Sequence, residues 1–114
     1  MALRARGATV VEAGFDRALP RGTPDEEVLR WAGANGFAFL TRDRHLKTRP
    51  AELAAIKAHR VAVFYVPPSP RSREELCKAV TAALPRIAYS LAREDRPFVR
   101  RILPNGALKD EGFA

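Results

Sequence analysis

Two aspartates, Asp25 and Asp43, are the residues of this chain best placed to do chemistry. Asp25 lies at the start of a predicted helix, on the stripe that must pack against a sheet, and Asp43 follows the predicted buried strand at 37–41. Ligands of open α/β sheets collect at the carboxyl ends of the strands, where we expect both carboxylates to meet. Two converging carboxylates need a cation, so the pattern predicts a site for a divalent metal ion.

Each acid also has a simpler interpretation. Asp25 in a first helical turn would stabilise the helix dipole by about 0.3–1 kcal/mol, and Asp43 could close a local turn with its own backbone. Glu12, at the end of a predicted strand, or Asp16, on a predicted loop, could be a third metal ligand, or both could be surface acids. His45 could contact a phosphate or carry a proton, or could be an exposed loop histidine with neither role.

Four basic residues lie close to Asp43 in the sequence: Arg42, Arg44, Lys47 and Arg49. They are predicted to hold an RNA phosphodiester beside the metal, although they could equally form a solvated loop. The chain has 20 Lys and Arg against 13 Asp and Glu, giving a net charge of +7. Sixteen of these cations are Arg, which can fork onto phosphate, although codon bias in a GC-rich genome gives the same excess. The charge therefore favours a polyanionic partner.

The elements that must position these residues alternate between helix and strand. Thr23 is predicted to N-cap a helix that starts at Pro24, with Glu26 completing a capping box, and Gly36 stops this helix after Asn35. Two apolar runs, 37–41 and 61–66, are typical of strands buried on both faces, with a helix over 51–59 between them. This alternation predicts an α/β protein, and the length of 114 residues predicts a single domain.

The two ends of the chain have less regular patterns. Residues 1–6 are predicted to be the last turns of a helix, residues 8–12 a short strand and residues 13–22 a loop. A later helix opens at Ser72, and Pro85 is expected to break or kink it before a second segment over 86–93. The chain then ends in a predicted β-hairpin with a type I′ turn at Asn105 and Gly106.

The single cysteine and the hydropathy pattern exclude several classes of protein. Cys77 alone cannot form an internal disulfide or a Cys-based zinc cluster, and its helical spacing with Val80 and Leu84 predicts a buried thiol. No apolar run approaches the length of a membrane span, and the N-terminus has no secretory h-region. We therefore expect a cytoplasmic protein without a membrane partner.

The run Thr-Pro-Asp-Glu-Glu-Val-Leu at 23–29, followed by an apolar strand and Leu-Thr-Arg-Asp-Arg at 40–44, resembles the PIN-like nuclease domains, including the VapC-type toxins of bacterial toxin–antitoxin pairs. The segments 21–25 and 49–52 add to a likeness that extends to about Val66. It implies a three-layer α/β/α sandwich with a mostly parallel central sheet, and acids that bind Mg²⁺ or Mn²⁺ to hydrolyse RNA. Asp25 and Asp43 match the family's second and third acids. The implied partners are RNA, a cognate antitoxin and a second copy of the chain.

The chain departs from this family pattern at two points. The family's first metal-binding Asp lies on an opening strand, which is not predicted after Met1, and no acid follows Val66. Either the coding sequence begins upstream, or the site has too few carboxylates and the chain is an inactive RNA-binding or protein-interaction module. The favoured hypothesis is a metal-dependent endoribonuclease in which Asp25 and Asp43 are the catalytic metal ligands. A generic α/β domain with a compositional charge is a third hypothesis.

Overall fold

The computed structural model describes residues 2–4, 10–11, 15–16, 19–20, 22–41, 48–66 and 73–111. Strands and helices alternate through the middle of the chain, and a pair of strands follows the last helix. Within the described ranges the elements are β1 (Ala2–Arg4), β2 (Val10–Val11), β3 (Phe15–Asp16), β4 (Leu19–Pro20), α1 (Asp25–Asn35), β5 (Phe37–Thr41), α2 (Pro50–His59), β6 (Ala62–Tyr65), α3 (Arg73–Arg93), β7 (Phe98–Ile102) and β8 (Leu108–Asp110).

One mixed sheet organises the domain, with the strand order β2-β1-β5-β6-β7-β8. Its centre is parallel, because β5 pairs with β6 and β6 pairs with β7 in the same direction. The flanking pairs β1–β5, β1–β2 and β7–β8 are antiparallel. Strands β3 and β4 form a separate antiparallel pair. The predicted α/β fold with a parallel sheet at its centre is confirmed.

Two apolar cores, one on each face of the sheet, make the domain three layers thick. Helices α1 and α2 cover the first face, where the fully buried side chains of Leu29 and Ile56 pack on Val63 and Val99. Helix α3 covers the second face over a separate cluster that includes Phe64. Because β5 lies between these layers, its first four residues are buried on both faces. The α/β/α sandwich expected from the sequence is therefore confirmed.

Helix α1 begins one residue later than predicted, at Asp25, with Pro24 in the N-cap position instead of Thr23. The Pro24 carbonyl accepts hydrogen bonds from the N–H groups of Glu27 at 3.0 Å and Val28 at 3.1 Å. The helix ends as predicted, because Gly36 adopts the left-handed conformation (φ 72°) that a residue with a Cβ atom rarely adopts. The acidic first turn of α1 therefore comes directly before Val28 and Leu29, the first buried residues of this helix.

The N-terminal segment differs from its prediction. Residues Ala2–Arg4 form strand β1, not the end of a helix, because β1 supplies backbone partners to the outer edge of β5, with Arg4 opposite Phe37 and Ala2 opposite Phe39. A parallel strand left at the edge of the sheet would expose its N–H and C=O groups. The short strand predicted over 8–12 is confirmed as β2, whereas the predicted loop over 13–22 contains β3 and β4.

Helix α3 also differs from its prediction in two ways. It continues through Pro85 to Arg93 as one helix, and Pro85 lies on its exposed side. A proline costs roughly 3 kcal/mol inside a helix, but the packing of the opposite face on the sheet holds α3 together. The prediction that Cys77 is buried is wrong, because the thiol is exposed and the buried stripe runs through Ala79, Ala83 and Ile87.

The C-terminal hairpin is confirmed, but its turn is not type I′. Such a turn needs positive φ at both central residues, and in the described chain Gly106 has φ 86° while Asn105 does not have positive φ. The Gly106 N–H donates to the Leu103 carbonyl at 2.8 Å, and the Leu103 N–H donates to Ala107 at 2.8 Å. Pro104 favours the second position of a type I turn, so the hairpin closes through that turn and a glycine bulge.

Candidate active site

Asp25 lies at the end of the sheet where the parallel strands finish. Only Gly36 separates α1 from β5 and the two elements are in contact, so we infer that they run in opposite directions and that the start of α1 lies near the end of β5. Thr41, Tyr65 and Arg101 occupy matched positions near the ends of β5, β6 and β7, as the strand register shows. We call this region the carboxyl edge. It is the region where α/β sheets bind their ligands.

The Asp25 side chain is half-buried at the carboxyl edge, whereas the neighbouring acids Glu26 and Glu27 are exposed. Glu27 accepts hydrogen bonds from the guanidinium of Arg30, one of them from Nε at 3.2 Å. Among the described residues, none forms an ion pair with the Asp25 carboxylate. Of the acids in this first turn, Asp25 is thus the least exposed, and its role as a ligand stays a prediction.

Most of the other predicted site residues lie outside the described ranges. Asp43, its basic neighbours Arg42, Arg44 and Lys47, and also His45 and Glu12, fall within segments 42–47 and 12–14. The convergence of Asp25 with Asp43 therefore stays a prediction, and so do the phosphate contacts of the three basic residues. The backbone of Thr41, two positions before Asp43, accepts a hydrogen bond from the Val66 N–H at 2.9 Å, so the strand that leads to Asp43 is fixed.

Two further candidates from the sequence are within the described ranges. Arg49 precedes α2, where its Nη1 lies 3.7 Å from Oε1 of Glu52. The Arg49 side chain is exposed, while Glu52 is largely buried in the first turn of the helix. Asp16 lies in β3 and pairs through its backbone with Leu19, in the sheet separate from the main one. Arg49 is therefore partly neutralised, and a metal-binding role for Asp16 stays a prediction.

A polar cluster at the carboxyl edge was not predicted from the sequence. Tyr65 donates a hydrogen bond from its hydroxyl to Oε1 of Glu111, and Nε of Arg101 lies 3.5 Å from the same oxygen. Burial raises the pKa of the Tyr65 hydroxyl, and the adjacent Glu111 carboxylate raises it further. The hydroxyl therefore stays protonated at neutral pH and can donate to the carboxylate.

Arg100 provides the contrast on the opposite face of the same strand. Its guanidinium donates hydrogen bonds to Glu94 at 2.9 and 3.2 Å and to Asp110 at 2.9 Å. It also lies over the Phe98 ring, 4.3 Å from the ring centroid. The Glu94 carboxylate is the main cause that raises the pKa of Arg100. Two carboxylates thus neutralise this arginine as part of the packing under α3.

A signal for the missed cluster is present in the sequence. Tyr65 is the last residue of one strand, and Arg101 is the fourth residue of another, so a parallel pairing of the two strands places them side by side. The pattern over 97–103 predicts one arm of a terminal hairpin, and this prediction does not include the parallel pairing with β6. A buried apolar run interrupted by Arg near its carboxyl end is the pattern that could have found the cluster.

Of the two predicted metal ligands, Asp25 is within the described ranges. Asp25 offers a carboxylate, the hard oxygen ligand that Mg²⁺ and Mn²⁺ prefer. Within the described ranges no group of three or more His, Cys, Asp and Glu side chains is placed to hold a metal ion. Further protein ligands of a site built on Asp25 would come from outside these ranges, where the predicted ligand Asp43 lies.

The helices that the structure describes include none with the length and apolar character needed to cross a membrane. Neither curated proteins nor solved structures include a significant match to the chain. The family model of the PIN-like domain matches residues 2–67, which is more than half of the 114 residues and includes Asp25, β5 and the segment that contains Asp43. The chain therefore belongs to the PIN-like domain family, a family of nuclease type.

Proposed function

We propose that the protein is a metal-dependent endoribonuclease whose catalytic carboxylates are Asp25 and Asp43. The observation that carries this proposal is the match of the PIN-like family model to residues 2–67, a range that contains both acids. Asp43 follows the last residue of that strand by two positions, so the two carboxylates need only a short loop to meet. Carboxylates at the carboxyl edge can hold Mg²⁺ or Mn²⁺ and leave coordination positions open for water and phosphate oxygens.

The division of roles follows from the chemistry of phosphodiester hydrolysis. The bound metal ion would supply activated water and charge stabilisation at the scissile phosphate. Asp25 and Asp43 bind and orient that ion, while Arg42, Arg44, Lys47 and Arg49 hold the RNA backbone. The net charge of +7 attracts the polyanion toward the protein.

Conservative substitutions of the two acids test this proposal. Asp43→Asn and Asp25→Asn should each reduce Mn²⁺-dependent cleavage of a fluorescent RNA by about 100-fold or more, since a lost metal ligand removes several kcal/mol of transition-state stabilisation. Glu26→Gln is the matched control, because Glu26 is an exposed acid next to Asp25. Undiminished cleavage by Asp43→Asn would contradict the assignment of the site.

A specific observation favours a second function, a catalytically inactive module that binds RNA or protein. Strand β1 consists of Ala, Leu and Arg, so it contributes no carboxylate to a metal site. RNA binding that persists in EDTA, together with no cleavage in Mg²⁺ or Mn²⁺, would support this function instead. An in-frame extension upstream of Met1 that encodes an apolar strand followed by Asp would favour the nuclease.

We further propose that the nuclease is the toxin of a toxin–antitoxin pair and acts on RNA in the cytoplasm. The sequence resemblance to VapC-type toxins supports this role. The expected result is growth arrest on expression of the chain, relieved by co-expression of a short open reading frame next to its gene. Growth arrest that Asp43→Asn leaves unchanged would contradict a nuclease toxin. The antitoxin and a homodimer both stay predictions.

A further inference from the structure

Tyr65, Arg101 and Glu111 have no part in the metal site proposed above, although they lie at the same edge of the sheet. Thr41 is in register with Tyr65, which is in register with Arg101, so their side chains point to one face. Neighbouring strands lie about 4.8 Å apart, which places Arg101 roughly 10 Å across the sheet from the strand that leads to Asp43. This separation is short enough for one nucleic-acid strand to contact both.

The guanidinium of Arg101 is not bound by a hydrogen bond through Nε. This atom is buried and has no hydrogen-bond partner in the described part of the chain, and the 3.5 Å separation from Glu111 is an ion pair only. Oε1 of Glu111 instead accepts the hydroxyl of Tyr65. Of the Arg101 side chain, 31% is exposed. An external acceptor would therefore bind the exposed part of this side chain and not the buried Nε.

The neighbouring Arg100 shows what a structural arginine looks like in this sheet. Arg100 is hydrogen-bonded by Glu94 and Asp110, and its side chain is only 15% exposed. Arg101 is twice as exposed, has one ion-pair partner among the described residues, and lies on the face of Asp25 rather than under α3. The two side chains point to opposite faces of β7, so Arg100 belongs to the packing under α3 while Arg101 faces the carboxyl edge.

We propose that Arg101 binds a phosphate group of an RNA strand lying along the carboxyl edge, and that Tyr65 and Glu111 position it. The identity of the ligand rests on the proposed function. Arginine presents a planar fork that matches phosphate oxygens, and Tyr65 offers an aromatic ring beside it. Glu111 is a built-in competitor for the cation, which the Tyr65 hydroxyl restrains by occupying one carboxylate oxygen.

The experiment measures binding of a short fluorescent oligouridine in EDTA over a range of KCl concentrations. Loss of one phosphate contact on a single strand lowers the slope of log K against log salt concentration by about 0.7. Arg101→Gln should show this loss and weaker binding. Arg100→Gln is the matched control, since the same substitution on the adjacent, neutralised residue should leave the slope unchanged. Thermal unfolding of both variants establishes that they fold.

A second pair of variants is expected to shift the affinity for RNA in opposite directions. Glu111→Gln removes the competing charge and should tighten RNA binding several-fold, whereas Tyr65→Phe removes the hydrogen bond to Oε1 of Glu111, which should strengthen the ion pair of Glu111 with Arg101 and weaken RNA binding. A purely structural cluster would not give opposite shifts in affinity. These variants also keep the inference testable if Arg101→Gln fails to fold.

The outcomes separate this inference from the proposed function. If Arg101→Gln has a reduced slope and the wild-type protein cleaves no RNA, the phosphate contact is supported and the nuclease is overturned. Metal-dependent cleavage with an unchanged slope in Arg101→Gln supports the nuclease and overturns the contact. An unchanged slope accompanied by lost binding of the antitoxin would make Arg101 a protein contact, which also overturns the proposal.

Discussion

The two faces of the sheet carry different kinds of side chain, although the same strands form both faces. Under α3, the side chains of Phe64 and Phe98 meet edge to face at 5.6 Å, and even the charge of Arg100 is neutralised. On the other face, the apolar core beneath α1 and α2 gives way at the carboxyl edge to Tyr65 and Arg101. Alternation along β6 and β7 thus gives stability to one face and exposed charge to the other.

Substitutions on the two faces should therefore change different properties of the protein. Substitutions under α3 should lower the free energy of unfolding without altering chemistry, because the second face contributes none of the proposed ligands. Substitutions at the carboxyl edge should alter binding or cleavage at small cost in stability, since these side chains are partly exposed.

The largest effect on stability is expected from Phe64→Ala. Phe64 is fully buried and packs edge to face against Phe98, so its truncation should cost about 3–5 kcal/mol of unfolding free energy. Urea unfolding measures this loss. Tyr89→Ala is the control on α3, because Tyr89 is 60% exposed and its loss should stay within about 0.5 kcal/mol. Equal losses in the two variants would contradict the assignment of the core.

A smaller but specific loss is expected from Gly33→Ala, between the two helices of the first face. A Cβ at Gly33 would lie 2.4 Å from the backbone oxygen of His59, so α1 and α2 would have to separate. Overpacking of this kind costs roughly 1–3 kcal/mol. Ala34→Ser, at the next and exposed position of α1, is the control. A Gly33→Ala variant as stable as wild type would show that the helices separate freely.

The smallest effect concerns Glu94, the partner of Arg100. Hydrogen bonds from Arg100, and then from Ser90, lower the pKa of Glu94 below its ordinary value of 4.5. The associated stability is present above pH 4.5 and is lost as the pH falls through the lower folded pKa. Because the side chain is 38% exposed, Glu94→Gln should cost only about 0.2–1 kcal/mol at neutral pH.

Urea midpoints measured from neutral to acid pH test this expectation. The difference between wild type and Glu94→Gln should shrink as the solution becomes acid, since both side chains are then uncharged. Glu74→Gln, at a largely exposed position on α3, should show a smaller difference at every pH. A difference that grows toward acid pH would reverse the sign of the linkage.

Elements with a strong local signal could be predicted from the sequence. The bounds of β5 match the predicted 37–41 because five consecutive apolar or small residues suit a strand between two layers. Helix α2 begins one residue before its predicted start, with Pro50 in its first turn. Asp25 was placed on the face of α1 that contains Val28, Leu29 and Ala32, and these three residues are buried.

The failures arise where distant segments decide the local structure. Ala2–Arg4 is a strand because β5 has an unpaired edge, and Cys77 is exposed because the sheet fixes the rotation of α3. Tyr65 and Arg101 are neighbours through a register that joins residues far apart in the chain. Local propensity contains none of this information, so the polar cluster could be identified only from the fold.

The first core, where α1 approaches α2 at Gly33, is formed mostly by residues that are close together in the sequence. Of the residues in the first core, all but Val99 lie between positions 28 and 63, whereas the second core extends from Ala38 to Ile102. Local contacts close shorter loops, so we expect the first core to form earlier. Stopped-flow kinetics should then show Leu29→Ala slowing folding and Phe64→Ala mainly accelerating unfolding. The reverse pattern would mean that α3 docks first.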